Sequence, residues 1–190
     1  IRADLRGVDA VSRARVVGRG VLLVVLAWWT VTFATATVAS NAAGMSFLHL
    51  VNLPFHEAGH LVFAPFGRFM TALGGSLLQV AVPLVCAWTL FFRTEDPFGA
   101  AVATWWTGQN FVDLAPYIAD ARALRLVLLG GRTGAEVEGH DWEAILTMLG
   151  WQRFDVTLGK ASHAFGILVM TAALAWAVMS LVRQWRHGAD

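Results

Sequence analysis

The stretch FMTALGGSLLQVAVPLVCAWTLFF, residues 69–92, carries no charged side chain. A helix crossing a hydrocarbon core of about 30 Å needs about 20 apolar residues, and this run supplies them. Other stretches repeat the pattern. No formally charged residue lies between Arg19 and Glu57, within 98–112 or within 161–182. Of the 190 residues, 57% are hydrophobic and 14% charged, against about 25% charged in an ordinary soluble domain. A chain of this length cannot enclose four such helices in a soluble core. The composition therefore predicts an all-α, polytopic membrane protein.

Working outward from residues 69–92, five membrane spans are expected, near 20–40, 45–66, 76–92, 98–118 and 164–182. Residues 1–19, with five arginines and two aspartates, read as a cytoplasmic N-terminal segment. The first span is long and contains Trp28 and Trp29, which favours a retained helix over a cleaved leader. Because the chain opens on Ile1, further sequence is expected before it. GRFMTALGG, residues 67–75, reads as a break or short extended hairpin because of its glycines. Residues 119–162 form a mixed loop, with an amphipathic helix expected over 141–149. No repeat or low-complexity linker divides the chain, so residues 1–190 are expected as one domain.

Charge bounds the function and orients the spans. A net charge of +1 without a basic stripe beyond the N-terminal arginines excludes a nucleic-acid partner. The single cysteine, Cys86, excludes an internal disulfide and a cysteine-based metal site. Basic residues concentrate on the cytoplasmic side of membrane proteins. Five spans with the N-terminus inside place 11 basic residues in the cytoplasm, including those of the 119–162 loop, and 3 outside. If the second segment were re-entrant, the loop would change sides and the split would become 8 against 6. The count favours five spans, an inner bacterial membrane and a cytoplasmic N-terminus.

Within the second span lies HEAGH, residues 56–60. Ionisable groups at membrane depth are costly and mark function by default. On a helix, His56 and His60 are one turn apart and share a face, so both imidazoles can bind one Zn2+. Glu57 beside them is the expected general base, taking a proton from metal-bound water. The alternative reading of the three residues is a chance match with satisfied core histidines. A catalytic zinc usually has a third protein ligand and one open position. Asn110, Asp113, Tyr117 and Asp120 form one polar stripe at helical spacing on the fourth span. Depth along that helix favours Asp113 as the third ligand, placing the zinc between the second and fourth spans. Pro116 can kink the helix and bring Asp120 back. His140 and Asp141, in EGHDW, are a third option, otherwise read as a loop histidine and a helix cap. His49, His163 and His187 need only packing or interfacial roles, and the nine tryptophans suit interfacial belts.

These residues resemble the site-2-protease-like intramembrane zinc metalloproteases. HEAGH resembles that family's zinc helix, GGSLLQ (74–79) its glycine-led motif ending in an amide, and QNFVDLAPYIAD (109–120) its third motif. The resemblance covers roughly residues 52–122. It implies Asp120 as the third zinc ligand, and Gln79 and Asn110 holding the substrate backbone or oxyanion; a kink at Pro116 that draws Asp120 inward leaves Asp113 to hydrogen-bond a histidine's second nitrogen. The chain departs from the family in having Ala119-Asp120-Ala121 where Leu-Asp-Gly is usual, in its proline spacing, and in lacking a PDZ-type domain. The function so implied is hydrolysis of a peptide bond in or beside a membrane segment of another protein within the lipid bilayer. An unwound substrate is expected to add as a strand near residues 68–75. A zinc-binding scaffold without protease activity and a zinc hydrolase acting on lipid are the alternatives.

Overall fold

A computed structural model describes residues 14–186 in full and the backbone of 2–13 and His187 as continuations of the terminal helices. The described chain is mostly helical, with residues 120–140 forming an irregular loop. Its helices are α1 (Arg2–Thr35), α2 (Phe47–Phe63), α3 (Arg68–Phe92), α4 (Pro97–Ala119), α5 (Asp141–Leu149) and α6 (Asp155–His187). Three stretches are long and apolar enough to cross a membrane: Ala14–Thr35, Arg68–Phe92 and Gln152–Arg186. Their outward faces carry large apolar side chains, among them Val24, Val31, Leu84 and Leu168. α4 is long too, and it is the centre of the bundle. Trp105, Val112, Leu114 and Ala115 on it are buried, and it packs along α6, where Met170 and Ala173 are buried.

Start and stop signals account for the helix ends. Asp96 caps α4 by accepting a hydrogen bond from the Gly99 amide, and Pro97 occupies the first helical position, where no N–H is needed. His140 caps α5 through the Glu143 amide, and Gly150 ends that helix in the left-handed conformation.

Residues 67–75 are not extended, contrary to the reading of their glycines. Only Gly67, at φ 90°, interrupts the chain, and α3 begins immediately after it. Gly74 and Gly75 lie inside α3, where they serve close approach rather than turning. A Cβ on Gly74 would stand 2.6 Å from the Gly59 carbonyl oxygen of α2. Among the described residues there is no strand beyond an isolated bridge between Val127 and Thr133. The expected strand addition by substrate at 68–75 therefore has no sheet edge to use.

Contacts at the helix ends define two ends of the bundle. Arg19 of α1 donates to both carboxylate oxygens of Asp96 at 3.0 Å and to Gln184 of α6 at 2.6 Å. The start of the apolar part of α1, the α3–α4 turn and the end of α6 thus meet. At the other end, His163 of α6 donates to the Phe33 carbonyl of α1 at 3.1 Å. α2 has both of its ends toward this second end. His49 meets Asp113 in the last third of α4, and His60 meets the Thr71 carbonyl in the first turn of α3. With 17 residues, α2 is about 25 Å long at 1.5 Å per residue, less than the hydrocarbon thickness of about 30 Å. Five successive crossings would put Arg19 and Asp96 on opposite faces, whereas the two residues are in contact. α2 packs along α3 and reaches α4 through the side chains of His49, Asn52 and Phe55.

Candidate metal centre

α2 presents His56 and His60 on the face turned to α3, with ring centroids 4.9 Å apart. The Nε2 atoms of both rings approach one oxygen of Asp141, at 3.1 Å from His56 and 3.3 Å from His60. Asp141 opens α5, so the third group comes from the 119–162 loop. The ligand atoms of these three residues all lie within 4.8 Å of one another and could hold a metal ion. A tetrahedral ion with bonds of 2.0–2.1 Å has ligand–ligand edges of about 3.3 Å, close to the two measured separations. Space for the group is made by Gly75. A Cβ there would lie 2.7 Å from both Nε2 atoms.

Each member is held from behind. His56 Nδ1 lies 2.8 Å from Gln79 Oε1, and His60 Nδ1 lies 2.8 Å from the Thr71 carbonyl oxygen. Tyr117 clamps Asp141, its hydroxyl donating to Oδ2 at 3.2 Å and accepting the Asp141 N–H at 2.9 Å. Trp142 next to it donates to Ser76 of α3 at 3.2 Å. The first turn of α5 is thereby fixed to α4 and α3 together. A bidentate pair of Arg122 with the buried Asp155 ties the beginning of the loop to α6. Glu57 is half-buried and, among the described residues, no hydrogen bond engages its carboxylate. It follows His56 directly on α2 and lies three residues before His60. A cavity of about 830 Å³ opens onto Asp141, walled by Arg68 and Thr71 of α3 and by residues 134–141, Glu143 and Ala144.

The other residues singled out in the sequence lie elsewhere. Asp120 is the residue after α4, because the helix runs through Pro116 to Ala119 rather than turning inward. Its carboxylate accepts the Arg125 and Leu126 amides at 3.0 and 2.8 Å, shaping the loop, and is not part of the histidine group. His140 acts as the α5 cap. Its Nε2 faces Asp120 at 3.6 Å without a hydrogen bond, and its ring packs on Tyr117. Burial pushes the His140 imidazole below its ordinary range, against the opposing pull of Asp120 and Asp141. Asp113 touches neither zinc-motif histidine. It accepts from His49 at 3.1 Å, from Asn52 at 2.9 Å and from Gln79 at 3.1 Å. Gln79 therefore bridges Asp113 and His56. Asn110 is fully buried and donates to the Trp106 carbonyl of its own helix. From sequence, Asp141 is one option for the third ligand beside Asp113 and Asp120, with a helix cap as its alternative reading, and His49 reads as packing or interfacial. A signal for Asp141 was present in EGHDW, where the carboxylate adjoins a tryptophan that pulls the helix start into the bundle.

No protein-family model matches this chain, and no curated protein or solved structure matches it.

Proposed function

We propose that the chain is a membrane-embedded zinc hydrolase that cleaves a peptide bond in or next to a membrane segment of another protein. The observation that carries this reading is the convergence of two imidazole Nε2 atoms on Asp141 with Glu57 left free beside them. His56, His60 and Asp141 would hold the ion. Bound zinc would polarise the scissile carbonyl and lower the pKa of its water toward about 7. Glu57 takes the water's proton on its carboxylate and returns it to the departing amine, which needs a carboxylate not already spent on a neighbour. A purely structural site has no use for that free carboxylate, which disfavours the scaffold alternative. The resemblance of HEAGH to site-2-protease-like enzymes supports the same chemistry, with Asp141 in place of Asp120 as the third ligand.

The membrane path that best accommodates the end contacts has four crossings, by α1, α3, α4 and α6. The N-terminus and the α3–α4 turn then share one face, and the metal group and the 120–154 loop open toward the other. Counted by chain position, 8 basic residues fall at the Arg19 end and 6 at the other, which favours the Arg19 end as cytoplasmic. A substrate helix hides its carbonyls in internal hydrogen bonds and must unwind to reach the group. The cavity beside Asp141 provides room for an unwound segment.

Metal analysis of purified protein and comparative proteomics test this together. One zinc per chain, and membrane-protein fragments that disappear in cells carrying Glu57→Gln, are the expected results. Absence of zinc with both histidines intact would end the hydrolase reading. An unchanged peptide pattern with an altered lipid profile would move the reaction to a lipid ester or amide.

A further inference from the structure

We infer that Gln79 is a positioning residue, an amide relay through which the buried Asp113 holds a hydrogen on His56 Nδ1 and leaves its Nε2 facing the metal position. The inference rests on the zinc reading for its purpose, though its geometry is independent of any ion. Asp113 has a side chain only 1% exposed. Three side chains converge on it, from Asn52, Gln79 and His49. A carboxylate that only accepts hydrogen bonds suits that surrounding.

Such an acceptor decides which way the Gln79 amide points. Its nitrogen must face Asp113, at 3.1 Å, because the opposite orientation would set two oxygens against each other. Its oxygen then faces His56 Nδ1, at 2.8 Å, and can only accept. His56 therefore carries a hydrogen on Nδ1, and its Nε2, 3.1 Å from Asp141 Oδ2, is the nitrogen left to donate to that carboxylate or to bind a metal. Metal-binding histidines commonly hold their second ring nitrogen in this way, and removing the partner typically costs roughly 10–100-fold in metal affinity.

His60 reaches the same tautomer by another route. Its Nδ1 donates to the main-chain carbonyl of Thr71, which no side-chain substitution removes. The two ligands thus differ in what sets them, and His60 serves as an internal control. Gln79 lies at 3% exposure, so this role replaces the substrate contact that resemblance had suggested for it.

Nitrogen-15 NMR of histidine-labelled, metal-free protein reads the protonation of each ring nitrogen directly. In the native protein His56 and His60 should both show a protonated Nδ1. Gln79→Leu should remove the Nδ1 hydrogen of His56 alone and weaken zinc binding roughly 10–100-fold, with His60 unchanged. A native His56 without a hydrogen on Nδ1 would overturn the inference without needing any variant, and so would an unchanged His56 in a folded Gln79→Leu protein. Failure of the native protein to bind zinc would instead strike the hydrolase reading and leave the tautomer result standing.

Discussion

Gly75→Ala separates the metal site from the stability of the fold. Glycine inside a helix is less favourable than alanine by roughly 0.5–1 kcal/mol, so α3 by itself would gain from the change. The new Cβ would start 2.7 Å from the Nε2 atoms of His56 and His60, while ordinary contact begins at 3.4 Å. Each ring must therefore retreat by about 0.7 Å, whereas metal–ligand distances in working sites hold to within about 0.2 Å. The retreat is larger than the tolerance, and it moves two of the three ligands together. Zinc affinity should fall more than roughly 100-fold, or about 2.7 kcal/mol, exceeding the usual effect of losing an outer partner. Thermal unfolding of the metal-free protein should stay near that of the native chain. The assay is a zinc competition titration beside that unfolding measurement. A Gly75→Ala protein that binds zinc within threefold of native would refute the placement of the ion against α3.

Other substitutions divide the roles of the remaining residues. Glu57→Gln should retain zinc and abolish turnover, because an amide cannot take the water's proton; residual hydrolysis near the native rate would remove Glu57 from the mechanism. Asp141→Ala should lower zinc affinity by more than about 100-fold, above the range for outer partners. Asp120→Asn should leave zinc binding in place and cost about 1–3 kcal/mol of stability through the two loop amides it holds. The reverse ranking of these two in a zinc titration would restore Asp120 as the ligand. Single cysteines at Glu95 and Arg132, introduced with Cys86→Ser, should be labelled from opposite faces of the membrane, and labelling from one face would refute the four-crossing path.

Hydropathy and local signals carried most of the helical layout. The expected helix at 141–149 coincides with α5, and the span at 98–118 lies within Pro97–Ala119. Both have caps written beside them, Asp96-Pro97 for one and His140 with Gly150 for the other. Residues 45–66 read as a full span because apolar residues continue past α2 into the short 3₁₀ turn at Ala64–Phe66. Length and apolarity do not say which way a helix runs. That information sits in tertiary contacts such as Arg19 with Asp96, 77 positions apart, and no periodicity contains it. Charge counting assigned the loop's five basic residues a side by number alone, whereas the contact of Arg19 with Asp96 is a fact of packing that counting does not contain.

The site divides along the same line. His56, Glu57 and His60 were legible because one helical turn relates them, and a helix is a local object. Asp141 was legible only as one option among several, because its approach depends on Tyr117 from α4 and Trp142 against Ser76 of α3. Gln79 stands between these cases. It is the only amide in the uncharged run 69–92, and a buried amide without partners would cost about 1–3 kcal/mol. That cost implied a partner inside the bundle without naming it. His56 on one side and Asp113 on the other meet the requirement. A polar residue within an otherwise apolar helix thus shows from sequence that a connection exists, and only the packing of α2 against α3 and α4 shows what it connects.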